Sequence, residues 1–314
     1  LLSEFLVRNK SFLGKHEKFP FLLKVMAIGK PLPLQCFPNA VQAKKGYEGE
    51  AEILYAISAC TLMCGFRPKQ EIEANLKRLL PRSFETFLGG CSKHENPIRC
   101  YFEQLYRLGK QELKLLISEY LENLSIEPVE NRAPFLGARE IALQIASESP
   151  DDPNLFAPYL LNIVELEPGQ AIYLEPCLVH AYVHGNSLAL TNNSDTTLCS
   201  AATDKSADVE DLMRVMVAKR HLVETIDSYA DEAGLHFVTE NPNFDLSLLS
   251  EGTFTIDGGS ISLLFCLNGF AEVSGDGHHI GLERGECLLV GPSVRDYQVK
   301  VDGTVCNAYA PEIV

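Results

Sequence analysis

The sequence predicts a mainly β protein with helices, built as two jelly-roll β-domains with an all-helical domain inserted between their parts. Three observations predict it. Short extended-type runs broken by Pro, Gly and Asp fill residues 19–64, 160–190 and 254–301. From residue 70 to 149 the apolar period changes to that of helices. Finally, Leu282-Glu-Arg-Gly285-Glu-Cys-Leu-Leu-Val-Gly-Pro292 echoes Leu166-Glu-Pro-Gly169-Gln-Ala-Ile-Tyr-Leu-Glu-Pro176. Both phrases read Leu-Glu-x-Gly, then Glu or Gln, then a spacer, three apolar residues, a spacer and Pro. Such an internal echo implies one hairpin used in two related β-domains. The expected division is 1–69 with 150–221, then 70–149, then 222–314.

Along the chain, Phe19 to Ile28 is strand-length and rich in branched and aromatic residues, and Lys30-Pro31-Leu32-Pro33 ends it. Leu34 to Phe37 is a second short strand. Ala51 to Cys64 reads as one buried strand running into a turn at Gly65 to Pro68. Ile72, Leu76, Leu79 and Leu80 open the helical block; Phe102, Leu105, Leu116, Ile117, Tyr120 and Leu124 continue its stripe, and Asn131 to Ser149 closes it. After Pro150-Asp-Asp-Pro153, extended runs cover Leu160 to Leu166, Gln170 to Leu174 and His180 to Leu190. Asp208 to His221 reads as one helix with Val209, Leu212, Met213 and Met216 on one face. Residues 222–240 read as a crossing segment. Phe254–Ile256, Ser260–Leu267, Gly269–Ser274, His278–Leu282, Glu286–Val290 and Tyr297–Val301 read as the short strands of a sandwich or jelly roll.

Composition narrows the function. A chain of 314 residues with 46% hydrophobic and 22% charged residues is ordinary for a folded protein of more than one domain. Its net charge of -15 argues against nucleic acid or an anionic membrane as partner. The same charge disfavours a sugar-phosphate site unless local cations offset it. No apolar run approaches the ~18–20 residues that span a bilayer, and Leu1 to Leu6 lacks signal-peptide features. The ten cysteines form no Cys-x-x-Cys pair, and reduced thiols in a cytoplasm fit their scatter. Cys60 and Cys64 share a face and read as core packing.

Several strings together resemble one family. Phe19-Pro-Phe-Leu-Leu-Lys-Val25, Cys64-Gly-Phe-Arg-Pro68, Leu166 to Leu174, His180-Ala181-Tyr182 with Gly185, and Ser194-Asp195-Thr196-Thr197 through Lys205 to Glu210 are similar to segments of type I mannose-6-phosphate isomerases, of the cupin superfamily. The resemblance runs in order over nearly the whole chain. It implies two cupin-type domains, and a family reaction that interconverts mannose 6-phosphate and fructose 6-phosphate with one zinc. A divalent ion with open positions can polarise the sugar carbonyl and stabilise the enediolate.

Carried over position by position, the resemblance implies Gln35, Glu52 and His180 as metal ligands, while the fourth ligand, a His in the family, is Phe37. Zinc by family resemblance therefore comes with weak or absent occupancy, because a neutral amide binds zinc poorly. The family's general-base candidate falls on Ala189, and its substrate-side Arg on Cys199. A phosphosugar-contacting Ser is Pro33 and a Lys is Glu50; Lys205 alone is retained. These substitutions dismantle phosphate recognition by paired charge.

Plainer readings stand beside these. A strand His such as His180 can be a satisfied structural group, and His184 shares its face and could stand in as ligand. Cys36 adjoins the lost ligand, yet alternation points it away. Gln35 and Glu52 could persist as a hydrogen-bonded pair without metal. Cys199 has no base beside it in sequence and reads as a plain thiol. His278 and His279 read as exposed. Two function classes follow: a sugar-phosphate isomerase with an impaired site, or a non-catalytic cupin that binds a sugar, a sugar phosphate or a protein.

Overall fold

Two antiparallel sheets and a helical layer make up the fold of the computed structural model, which describes residues 2–39, 49–129, 131–194, 197–199 and 208–311. The first sheet has eight strands: β1 (Phe21–Ile28), β2 (Gln35–Cys36), β3 (Glu52–Ala56), β4 (Cys60–Phe66), β5 (Leu161–Leu166), β6 (Ala171–Leu174), β7 (His180–Asn192) and β8 (Leu198–Cys199). The second has seven: β9 (Ser228–Asp231), β10 (Gly234–Phe237), β11 (Asp245–Ile256), β12 (Ser262–Gly275), β13 (His278–Glu283), β14 (Cys287–Val290) and β15 (Tyr297–Tyr309). The helices are α1 (Leu2–Arg8), α2 (Lys69–Leu79), α3 (Phe84–Phe87), α4 (Pro97–Arg107), α5 (Lys110–Ser125), α6 (Ala138–Glu148), α7 (Ala157–Leu160) and α8 (Asp208–Val215).

β7 organises the first sheet. Its first residues pair with β2 and β4, and its later residues pair with β1 and β3. Gly185 stands at the changeover with φ +111, and a Cβ there would lie 2.5 Å from the Ala59 carbonyl oxygen. Only glycine fits that approach. Strand alternation then sorts the side chains. Val179, Ala181 and Val183 join Leu34, Cys36, Met63 and Phe66 against the helices, while His180 and Tyr182 turn to the other face.

The helical stripe read from the sequence is buried against that core: Ile72, Leu76, Leu79, Phe102, Leu105, Leu116, Ile117, Tyr120 and Leu124 all pack in it. Asn96 caps α4, its side chain accepting from the Arg99 amide at 3.1 Å, with Pro97 at the first turn. A further core joins the two sheets, with Phe21, Ile53, Leu188 and Leu190 meeting Phe237, Phe244, Leu246 and Ala308.

The repeated phrase folds into the same turn twice. Between β5 and β6 the Gln170 amide returns to Glu167 O, Gln170 Oε1 accepts from Glu167 N at 2.8 Å, and Gly169 has φ +93. Between β13 and β14, Glu286 and Glu283 make the same two bonds, the side-chain one at 2.9 Å, around Gly285 at φ +88. Gln and Glu are interchangeable there because each offers one acceptor oxygen.

Several expectations are corrected. Ala51–Cys64 is two strands, since the chain turns between Ala56 and Cys60. Helix α8 stops at Val215, because the Val217 amide leaves for Cys177 O and the His221 amide for Phe66 O. Only Ala138–Glu148 is helical within 131–149. The crossing segment contains the β9–β10 hairpin. Ser260–Leu267 and Gly269–Ser274 belong to one strand, β12, because the Asn268-Gly269 turn signal marks a bulge. Strands β11 and β15 are likewise longer than their readings. Finally, Cys91 and Cys100 form a disulfide, their Cα atoms 5.3 Å apart, so the thiols are not all reduced. Among the described residues, no helix is long and apolar enough to cross a membrane.

Candidate functional site

Strand register brings part of the expected site together. Gln35 of β2 lies directly opposite His180 of β7 on one side and Cys199 of β8 on the other. His180 is fully buried. Its Nδ1 sits 3.0 Å from the Leu178 carbonyl oxygen, to which it donates, so Nε2 is left with a bare lone pair. That nitrogen is buried with no hydrogen-bond partner among the described residues. Burial pushes the His180 pKa down to about 4, with the Leu178 bond opposing, so the ring is neutral near pH 7.

What surrounds the ring is aromatic. The Phe37 ring centroid lies 4.7 Å from that of His180, and the Tyr182 centroid 5.6 Å. Tyr182 donates its hydroxyl to Glu52 Oε1 at 2.7 Å. Burial pushes the Glu52 pKa up to about 7; Tyr182 and the charge of Lys24 pull it down, and Glu50 pushes it further up. Phe37, His180, Tyr182 and Glu52 thus form one buried chain of contacts running from β2 to β3.

The second half of β7 departs from this cluster. Ala189 lies opposite Leu54 of β3 and Lys24 of β1, and it is buried with Leu54, Leu62, Ile172, Leu174 and Tyr182. A carboxylate there would enter hydrocarbon. Cys199 is partly buried beside Gln35. Lys205 lies outside the described residues. Glu50 is buried, its amide donating to Pro38 O at 3.2 Å. Pro33 lines a cleft of about 970 Å³ with Lys30, Leu34, Tyr106 and Glu148, and neither Gln35, Glu52 nor His180 lines it.

The alternatives resolve by geometry. His184 is exposed, with Tyr182 between it and His180 along the face. Cys36 packs into the helix-side core as alternation requires. The partner of Glu52 is Tyr182 rather than Gln35, which corrects the expected pair. Cys60 and Cys64 are core residues whose thiol pKa values burial raises. His278 and His279 are exposed on β13.

Sequence reasoning passed over Tyr182 and Lys24. Tyr182 follows His180 by two residues, so period-2 alternation alone placed it on the same face. Lys24 is the one cation inside the apolar run Phe21–Ile28, and its exposed position opposite Ala189 keeps its charge near Glu52.

These groups do not fit a zinc ion. Zinc takes four ligands, chiefly thiolate, imidazole and carboxylate. His180 Nε2 offers one lone pair, but the ring packed against His180 at the fourth ligand position is a phenyl. Glu52 is engaged by a tyrosine, and Gln35 is a neutral amide. Among the described residues, no group of three or more His, Cys, Asp and Glu is placed to hold a metal.

Comparison with known proteins agrees with the fold. The family described as phosphomannose isomerase type I, catalytic domain, matches residues 2–69. A probable mannose-6-phosphate isomerase of Caenorhabditis elegans is 28% identical over 92% of this chain and 75% of its own length. The Homo sapiens mannose-6-phosphate isomerase is 26% identical over 92% of this chain and 78% of its own. Among solved structures, a lysine-to-alanine variant of the Salmonella typhimurium phosphomannose isomerase superposes with a TM-score of 0.86 at 23% identity, covering 98% of this chain and 86% of that one. A zinc-bound mannose 6-phosphate isomerase gives 0.84 at 22% identity, over 98% and 85%.

Proposed function

We propose that this chain, which belongs to the type I mannose-6-phosphate isomerase family, has kept the family scaffold and lost the zinc-dependent aldose–ketose isomerisation. Its role is then that of a non-catalytic member that binds a sugar or sugar phosphate. One observation carries the reading: Phe37 packs its ring against His180, at the position where the resemblance expects a metal-ligating histidine. The apolar surroundings of Ala189 support it, because isomerisation needs a base at the carbon that loses its proton. Removal of single catalytic groups commonly costs on the order of 10²–10⁴-fold each.

The division into 1–69 with 150–221, 70–149 and 222–314 is part of this reading, as is a cytoplasmic setting. The unbroken order of helices α2 to α6 between β4 and β5 supports the former, although their apolar face shares one core with the first sheet, and the eight cysteines outside the disulfide support the latter. Two measurements test the function. Elemental analysis of protein purified without chelators is expected to find zinc well below one per chain. A coupled assay is expected to find no turnover of mannose 6-phosphate; turnover within ~1–10³ per second would refute the reading.

A further inference from the structure

A polar cavity of about 460 Å³ lies where the end of the first sheet meets the helices. Its walls come from separate parts of the chain. Arg67 follows β4, Arg78 lies on α2, Arg132 lies between α5 and α6, Arg139 lies on α6, and Tyr159 on α7. Four guanidinium groups therefore line a cavity whose lining, among the described residues, includes two carboxylates, Glu127 and Glu140, in a protein of net charge -15. None of Gln35, Phe37, Glu52 and His180 lines it.

The four arginines are not equally engaged. Arg78 pairs with Glu127, whose other oxygen accepts the Tyr159 hydroxyl at 2.7 Å. Arg139 donates Nε to Leu124 O at 3.2 Å and lies 3.6 Å from Glu140. Arg132 reaches Glu165 at 2.6 Å. Arg67 differs. Its Nε is buried with no hydrogen-bond partner among the described residues, and Nη2 lies a long 3.4 Å from Pro158 O. Its nearest carboxylate, Glu71, is 3.6 Å away and more than half exposed. Burial lowers the Arg67 pKa; Glu71 and Tyr159 oppose that shift, and the charge of Arg132 adds to it, so the two cations repel each other near the cavity. A buried N–H donor left unused on a guanidinium whose other contacts are long, next to a second cation, calls for an anion with several acceptor oxygens. The planar fork of Arg matches a phosphoryl group.

We infer that the cavity lined by Arg67, Arg78, Arg132 and Arg139 binds a phosphoryl dianion, as free phosphate or as the phosphate of a small metabolite. The volume is ample for either and lies within the range of small-molecule pockets. The inference does not depend on the proposed loss of isomerase activity.

Isothermal titration of the full chain tests it, with inorganic phosphate, mannose 6-phosphate and mannose as probes at pH 8. Saturable binding of inorganic phosphate is expected, falling at least tenfold in Arg67→Gln. Arg132→Gln, at a more exposed position, should weaken binding severalfold and carries the test if Arg67→Gln does not fold. Glu140→Gln removes a repelling charge and should tighten binding, and added salt should weaken it. Lys24→Gln, beside Glu52, should change nothing. Equal affinity for phosphate and mannose 6-phosphate identifies free phosphate as the ligand; tighter mannose 6-phosphate identifies a phosphosugar. Absence of phosphate binding, binding indifferent to both arginine variants, binding lost in Lys24→Gln, or equal binding of mannose would overturn the assignment.

Discussion

Replacing Glu52 by Gln should uncover a pH dependence of stability that the native pair conceals. Burial shifts Glu52 and His180 in opposite directions, from 4.5 up to about 7 and from 6.5 down to about 4. For Glu52 the unfolded chain releases its proton first, so stability falls as pH rises from 4.5 to about 7. For His180 the unfolded chain binds the proton first, so stability rises with pH from about 4 to 6.5. At about 1.4 kcal/mol per pH unit, each window of about 2.5 units is worth roughly 3 kcal/mol. The two slopes oppose each other across pH 4.5–6.5, and the native protein should be nearly flat there on account of this pair. Gln keeps an acceptor for the Tyr182 hydroxyl but cannot titrate. The variant should therefore gain about 3 kcal/mol relative to the parent between pH 4.5 and pH 8. Urea unfolding of both proteins at several pH values, at constant ionic strength, measures the difference. Asp245, whose pKa burial raises to about 6, is common to both proteins and cancels. A stability difference that stays constant with pH would refute the argument that Glu52 is buried in its ionised form above pH 7.

Three further outcomes follow from the same cluster. Tyr182→Phe removes the hydroxyl that holds Glu52, so it should cost about 2 kcal/mol at pH 8, where the carboxylate is charged, and less at pH 5; equal losses at both pH values in urea unfolding would count against it. Phe37→Ala should destabilise by about 3–5 kcal/mol by opening a cavity beside His180; a loss below about 1 kcal/mol would show that the ring is not a packing element. Reverting Phe37→His, Ala189→Glu, Cys199→Arg, Glu50→Lys and Pro33→Ser together should restore zinc binding in calorimetric titration, while single reversions should not. Failure of the fivefold variant to bind would mean that the pocket itself has been remodelled.

The parts of the fold with a clear period were legible. The stripe from Ile72 to Leu124 and the alternation around His180 each fixed which residues are inside. Boundaries were harder where one signal has two physical meanings. Asn268-Gly269 reads as a strand end, yet Gly269 sits in a bulge where a Cβ would lie 1.9 Å from Asp302 O. The Leu212–Met216 stripe suggested a longer helix than exists, because long-range amide bonds to Cys177 and Phe66 pull the chain out of it. For the candidate site, Gln35 opposite His180 was visible only through the family frame. Phe37 on His180 and Tyr182 on Glu52 depend on which strands become neighbours, and no local pattern carries that. The Cys91–Cys100 pair was hidden for a related reason: a nine-residue separation says nothing until the 3-10 turn before α4 brings the two together.

Gly185 gives β7 a property that matters for any attempt to rebuild the site. Everything from His180 to Tyr182 is aimed by the half of the strand before it, and Ala189 by the half after it. The kink therefore works as a ruler between two stations that carry different chemistry in the resemblance. It survives here although one of those stations is now an alanine, because Ala59 and Cys60 press against the glycine and would meet any side chain placed there. Packing thus preserves a distance that chemistry no longer needs. An engineer who changes residues at either station inherits the spacing unaltered, whereas one who changes Gly185 loses the relation between them even with every functional group in place.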